Sequence, residues 1–335
     1  MVGIKDVARQ AGVSVGTVSN VINRPDSVAA ATRERVRAVI DRLGYVRSES
    51  ARQLRAGRSR IMALLVLDMT NPFFVDIASG AERAARQAGL GVMLCNSAQS
   101  PAEEADYLGL FAEQRVRGVL VTPADTTGGT LRSFARHGIP YVFVDRTVAS
   151  TDACSVSVDD VKGGALAVRH LLQGGHEGVV YVSGPLHLPQ CQDRRTGALA
   201  ALHEAGLPPQ SLLHIEADRL DVAAGRDAGA RLLGMSPRPT AVFCANDLLA
   251  LGVLQTLYAA GVSVPDDIAL VGYDDIEFAA AAVVPLTSVR QPARRMGRAA
   301  AELLIEETGE QTAQHEHRRI VLQPELVVRA SSLTG

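Results

Sequence analysis

Residues Ile4-Lys5-Asp6-Val7-Ala8-Arg9-Gln10-Ala11-Gly12-Val13-Ser14-Val15-Gly16-Thr17-Val18-Ser19-Asn20-Val21-Ile22-Asn23 set two short apolar stripes on either side of one turn. Ile4, Val7, Ala8 and Ala11 recur at i, i+3, i+4 and i+7, the spacing of one helix face. Gly12 suits a left-handed C-terminal cap, and Ser14 suits the N-cap of a second helix that buries Val18, Val21 and Ile22. A third helix follows, with Val36, Val39, Ile40 and Leu43 inward and Gly44 at its end. Two short helices joined by a Gly-Val-Ser turn describe a helix-turn-helix. The expectation is a small all-α head over residues 1–47.

In such a unit the start of the second helix enters the DNA major groove. Val15, Gly16 and Asn20 are expected at base edges, because Asn pairs bidentately with adenine and Val touches a thymine methyl. Thr17, Ser19 and Asn23 carry short polar groups suited to phosphate oxygens. Lys5 and Ser14 complete the expected DNA-binding set. The competing reading is a small helical bundle with no DNA role. Charge argues for DNA: residues 1–60 hold 12 Lys/Arg and 5 Asp/Glu, a net of +7, whereas the rest of the chain carries −9. A basic head on an acidic body suits a polyanion partner for the head alone.

Residues 48–58 read as a linker. Within them Ser50 to Gly57 is polar and helix-compatible but has no full apolar face, so a helix there is marginal on its own.

From Ile61 onward apolar strands alternate with helical stretches. Strands are expected at Ile61–Leu67, Val92–Cys95, Val119–Val121, Tyr141–Val144, Val179–Val182, Ala241–Cys244 and Ile268–Val271. Helices are expected near 73–88, 101–114, 130–137, 161–172, 194–205, 223–233 and 247–260. Continuous apolar strands separated by helices imply parallel sheets covered on both faces. Two such series imply an α/β body, residues 60–335, of two doubly wound parallel-sheet subdomains. The first takes about 60–160 and 290–319, the second about 161–289 and 320–335.

Ligands in these folds bind beyond the C-terminal strand ends. Those ends carry Asn71, Phe73 and Phe74, then Asp145 and Arg146, then Arg194 opening the helix after the fifth strand. Asn246 with Asp247, Asp274 with Asp275, and Gln291 complete the series. Aspartates accept from hydroxyls, Arg donates in a fork, and Asn and Gln do both, which fits a polyhydroxylated ligand in a cleft that closes by hinge motion. Taken singly, each of these is equally a helix cap or local ion pair, and Asp159 and Asp247 look like caps.

At 335 residues with 47% hydrophobic content, the chain can bury a sizeable core. Its apolar runs are too short to span a bilayer. The start has no signal-peptide pattern, so a cytoplasmic protein is expected. Four dispersed cysteines share no metal or redox spacing. His315 and His317 look metal-like in isolation, but with no third ligand nearby in sequence they read as a solvated loop, and neither metal nor cofactor is expected. No G-x-S-x-G, Walker A, G-x-G-x-x-G or H-E-x-x-H motif occurs, which argues against an enzyme.

The head closely resembles LacI/GalR-type bacterial repressors through Ile4-Lys5-Asp6-Val7-Ala8, Ala11-Gly12-Val13-Ser14 and Thr17 to Asn23, continued by Thr32-Arg33-Glu34-Arg35-Val36 and Leu43-Gly44-Tyr45. The resemblance covers nearly the whole chain and implies a periplasmic-binding-protein-like body. It implies that the hinge folds on operator DNA, with Leu54 as a minor-groove wedge, Ala51 beside it and Arg55 near the phosphates. It also implies a homodimer on a palindromic operator, with further pairing into tetramers left open. The strand-end set resembles ribose-type sugar binders in particular. Four positions depart from the family pattern. Gly16 stands where a small side chain is usual, and Asn20 where Arg is common. Leu220 stands where an aromatic platform is usual. Ala29 also replaces a frequent capping Ser, so the third helix starts uncapped or borrows Ser27. The main expectation is a repressor of carbohydrate-utilisation genes released by a small sugar. A purine- or nucleoside-responsive regulator and a secreted sugar-binding protein are the alternatives.

Overall fold

Gly12 ends the first helix with φ 66° and Gly44 ends the third with φ 61°, a left-handed conformation that glycine adopts without steric cost. The computed structural model describes residues 2–45, 59–124, 134, 136–146, 152–309 and 315–333. Two units result, residues 1–59 and 60–335.

In the first unit, α1 (Ile4–Ala11), α2 (Val15–Asn23) and α3 (Ala30–Leu43) close over Val7, Val18, Val21, Val36 and Val39. The Ser14 hydroxyl accepts from Thr17 N at 3.0 Å and so caps α2. No side chain caps α3 at Ala29. Ser27 does not substitute, since its hydroxyl donates to the Arg24 carbonyl at 2.7 Å.

The second unit holds two six-stranded sheets. In the first lobe, β1 (Ile61–Val66), β2 (Gly91–Asn96), β3 (Val119–Val121), β4 (Tyr141–Val144), β5 (Cys154–Val158) and β11 (Arg319–Leu322) stand in the order β11-β5-β4-β3-β1-β2, all parallel. The second lobe has β6 (Val179–Ser183), β7 (Leu212–Glu216), β8 (Ala241–Cys244), β9 (Ala269–Asp274), β10 (Thr287–Arg290) and β12 (Glu325–Val327) in the order β12-β10-β9-β8-β6-β7. Only β12 runs antiparallel there. The first sheet is flanked by α4 (Pro72–Gln87), α5 (Pro101–Glu113) and α11 (Ala293–Glu307). The second is flanked by α6 (Asp160–Gln173), α7 (Pro189–Glu204), α8 (Val222–Leu233) and α9 (Asp247–Ala259), and a short α10 (Glu277–Ala281) follows β9.

The chain thus crosses between lobes after β5, after β10 and after β11. Because β11 pairs with β5 through Leu322, the last crossing lies a few residues later than the expected division at 319/320. Strands β5, β7, β10, β11 and β12 lay outside the sequence expectations. Serines interrupt β5 and β10, β12 opens on Glu325, and β7 and β11 are half exposed, so no continuous apolar run marks them.

Glycines bring the flanking helices into backbone contact. A Cβ on Gly80 would stand 2.0 Å from the Arg294 carbonyl oxygen, and one on Gly297 would stand 1.9 Å from that of Ile77. Gly164 and Gly197 do the same for α6 against α7. No described helix is long and apolar enough to cross a membrane.

Candidate functional site

Both asparagines expected at the ligand are helix caps. Asn71 Oδ1 accepts from Phe73 N at 3.0 Å, and Asn246 Oδ1 accepts from Leu249 N at 2.9 Å. Each cap fixes one end of its side chain and aims the amide nitrogen elsewhere. Asn71 Nδ2 donates to Asp274 Oδ2 at 3.0 Å, and Asn246 Nδ2 donates to the Leu220 carbonyl at 3.0 Å. Asp159 caps α6 as expected. Asp247 is instead the first residue of α9, buried, accepting from Ser288 Oγ and Ile276 N. It thereby anchors the turn that presents Asp274.

A cavity of about 530 Å³, its open mouth included, lies between the lobes. Asn71, Phe73, Phe74 and Asp145 line it from the first lobe, Arg194, Leu220, Asn246 and Asp274 from the second, with Gln291 just after β10. Nine of the eleven expected ligand residues therefore meet at one place. Two do not line it. Arg146 turns its guanidinium to the Pro123 carbonyl, 2.9 Å away. Asp275 forms ion pairs with Arg290 at 2.7 Å and Arg329 at 2.6 Å. Neighbouring residues at a strand end point in opposite directions, so only one of each Asp-Arg or Asp-Asp pair can face the cleft.

Arg194 lies within α7, which begins at Pro189, and does not open the helix as expected. Its Nε donates to Asp160 Oδ1 at 2.8 Å and its Nη1 to the Ala245 carbonyl at 2.5 Å. Its guanidinium carbon stands 3.6 Å from the centre of the Tyr273 ring, a cation–π contact. Tyr273 OH donates to the same Asp160 oxygen at 2.9 Å. Gln190, one helical turn before Arg194, donates through Nε2 to the Asp145 carbonyl at 2.8 Å and to Asp145 Oδ2 at 3.1 Å. Sequence reasoning missed Gln190 and Cys191 in the cavity wall. The i, i+4 spacing of Gln190 from Arg194 was the available signal.

Burial, reinforced by the Asp160 carboxylate, pushes Asp145 up to about 8, against the pull of Arg194 and the Gln190 hydrogen bond. Burial lifts Asp274 to about 6, while the Arg194 charge and hydrogen bonds from Asn71 and Gln291 act in the other direction. Both aspartates hold left-handed backbones, φ 58° and 107°, a strain of roughly 1–3 kcal/mol each. Two buried oxygens, Asp145 Oδ1 and Gln291 Oε1, have no hydrogen-bond partner among the described residues. A small molecule with an N–H or O–H donor would satisfy Gln291 Oε1, and an acceptor on it would take the proton that Asp145 holds.

In the head, Lys5, Ser14, Val15, Gly16, Asn20 and Asn23 are exposed, and Thr17 and Ser19 half-buried. Asn23 Nδ2 donates to Ser19 O and Ser19 Oγ, which holds both at one face of α2. A Cβ on Gly16 would stand 3.5 Å from Ser14 Oγ, an ordinary contact, so packing within the head does not require glycine there. Ala51, Leu54 and Arg55 lie outside the described residues.

Residues 3–48 match the family described as bacterial regulatory proteins, lacI family, and residues 168–332 match the periplasmic binding protein-like domain. The HTH-type transcriptional repressor PurR of Photobacterium profundum is 38% identical over 332 residues, covering 99% of this chain and 98% of the relative. Among solved structures, the lac repressor dimer bound to operator and the anti-inducer ONPF matches with TM-score 0.86, 28% identity and 99% of each chain covered. The transcriptional regulator CelR–cellobiose complex matches with TM-score 0.74, 33% identity, 99% of this chain and 100% of that one.

Proposed function

This chain belongs to the LacI family of bacterial regulatory proteins and is a DNA-binding transcriptional repressor, and from that premise we propose that a purine base or nucleoside held between its lobes controls repression. The observation that carries this reading is the form of the cavity. Phe73, Phe74, Leu188 and Leu220 give it apolar walls, and the buried oxygens Asp145 Oδ1 and Gln291 Oε1 stand unpartnered among the described residues. A flat heterocycle presents apolar faces, and N–H donors and ring-nitrogen acceptors in its plane, which match the Gln291 oxygen and the protonated Asp145 carboxyl. The repressors named PurR favour this alternative over the carbohydrate reading expected from sequence.

A monosaccharide is the second reading. The donor and acceptor set of Asn71, Asp145, Arg194, Asn246, Asp274 and Gln291 supports it, as does the similarity to the cellobiose-bound regulator. Titration calorimetry on the full chain with hypoxanthine, guanosine, ribose and glucose distinguishes the two. Saturable purine binding with no response to ribose supports the first, the reverse supports the second, and no binding by any of them removes both.

At the operator, Val15 and Asn20 read bases and Gly16 faces them without a side chain, while Lys5, Ser14, Thr17, Ser19 and Asn23 position the head on phosphates. Two copies read a palindrome in the cytoplasm, since half-site spacing follows protein two-fold symmetry. The hinge, residues 48–58, inserts Leu54 into the minor groove, flanked by Ala51 and Arg55. Effector binding closes the cleft and changes operator affinity by a factor of about 5–150, a coupling of roughly 1–3 kcal/mol. A purine effector would strengthen operator binding and a sugar weaken it. Leu54→Ala should weaken specific binding and spare nonspecific binding. Equal losses in both would remove the wedge.

A further inference from the structure

Away from the cleft, four potential metal ligands converge at the start of β5. Cys154, Glu307, His315 and His317 each offer one ligand atom, and these atoms all lie within 4.8 Å of one another. Cys154 Sγ is 3.2 Å from His315 Nε2 and 3.8 Å from His317 Nδ1. Zn–S and Zn–N bonds of about 2.3 and 2.0 Å at a tetrahedral angle place S and N about 3.5 Å apart, so both distances bracket the ideal. In sequence the histidines read as a loop because their partners are distant. Cys154 comes 161 residues before His315, and Glu307 ends a helix of its own.

We propose that Cys154, Glu307, His315 and His317 form a tetrahedral site for one divalent zinc ion.

The backbone explains the convergence. His315 and His317 stand two apart, just before β11 in the chain. Pairing of β11 with β5, Arg319 against Ser155, brings this stretch beside Cys154, the first residue of β5. Glu307 is the last residue of α11, which packs on the same sheet. Two further observations suit a cation. Glu307 Oε2 is buried with no hydrogen-bond partner among the described residues, and a buried carboxylate oxygen left so is costly unless a cation meets it. The Arg318 backbone N–H donates to Cys154 Sγ at 3.3 Å, the support a metal-bound thiolate takes from its surroundings.

Charge also balances. On binding, the Cys154 thiol releases its proton to solvent, and thiolate plus carboxylate neutralise Zn²⁺ while both imidazoles stay neutral. Mixed sulfur, nitrogen and oxygen ligation at four positions favours zinc over magnesium or calcium, which take oxygen ligands in larger numbers. The ion would pin the edge strand β11 and the end of α11 to β5, just before the chain's last crossing between lobes.

The test uses the full chain, stripped by chelator and titrated with Co²⁺ and with Zn²⁺. One Co²⁺ per chain is expected, with a sulfur-to-cobalt charge-transfer band and the intense visible bands of a tetrahedral ion, displaced by Zn²⁺. The Cys154→Ser chain should lose the charge-transfer band, and a Cys95→Ser chain should keep it. Because Cys154 is buried, a second variant avoids the core: His315→Gln with His317→Gln should lose the tetrahedral bands while remaining folded. Zn²⁺ should raise the melting temperature of the unmodified chain and not that of the double His variant. Absence of stoichiometric uptake, or uptake and stabilisation undiminished in the double variant, overturns the site.

Discussion

Asn71 Nδ2 donates to Asp274 Oδ2 across the cleft at 3.0 Å. Asn71 caps α4 in the first lobe, and Asp274 ends β9 in the second. A second bridge, Gln190 to Asp145, runs the other way, from α7 of the second lobe to the end of β4 in the first. The polar groups that face the cavity therefore also hold the two lobes together. A ligand that engages these groups would act on the atoms that join the lobes, which would couple occupancy of the cavity to lobe orientation.

Asn71→Ala should weaken effector binding by roughly 10- to 100-fold, since a hydrogen bond to an ionised group contributes about 1.5–3 kcal/mol. The loss of the α4 cap adds a stability cost of about 1 kcal/mol. Calorimetric effector titration and thermal melts read the two effects separately. Unchanged effector affinity would show that the bridge plays no part in binding.

Asp145 is pushed up to about 8 in the folded chain by burial and by Asp160. The unfolded chain releases the same proton near pH about 4, so between these values the native state holds more protons. Stability should therefore fall as pH rises through this window and level off above it. Asp145→Asn should flatten that part of the profile, read as melting temperature against pH. An unaltered slope in the variant would falsify the assignment.

Gly164 faces the Arg194 backbone so closely that an added Cβ would stand 2.0 Å from its carbonyl oxygen. Gly164→Ala must push α7 away from α6, which costs roughly 1–3 kcal/mol by overpacking. The same shift moves the Arg194 guanidinium off Asp160 and the Tyr273 ring. Effector affinity should fall along with stability, whereas Gly91→Ala, with open space around its Cβ, should leave affinity as it was. Equal affinities for the Gly164 variant and the parent chain would mean that helix spacing does not set the site.

Gly16→Ala has room for its methyl, 3.5 Å from Ser14 Oγ. Alanine in place of glycine within a helix stabilises by about 1 kcal/mol. Thermal unfolding should rise modestly, and any change in operator preference should appear at the base pair facing position 16, measured by binding to operators varied at single positions. Destabilisation would mean that the glycine meets a backbone demand at this site.

The sequence by itself determined the head, the layer order of the body and most of the cavity wall. Ile4, Val7, Ala8 and Ala11 share a face whatever the rest of the chain does, and Gly12 and Ser14 end and start helices through their own backbone and hydroxyl chemistry. Apolar strands such as β1 and β8, buried on both sides, declare themselves as continuous runs. Polar residues just past them, Asn71, Asp145, Asn246 and Asp274, fall at strand ends by arithmetic, and parallel sheets gather strand ends at one edge. What remained for the tertiary structure was direction and distance. Asp145 faces the cavity while Arg146 faces Pro123, and Asp274 faces it while Asp275 pairs with Arg290 and Arg329, because adjacent residues at a strand end diverge and only packing chooses between them. The short strand β11 carries no strong apolar pattern, yet its pairing with β5 brings His315 and His317 to Cys154. Chain order cannot show a contact made across 161 residues, since it depends on which strand takes the sheet edge, and that is decided when the whole lobe packs.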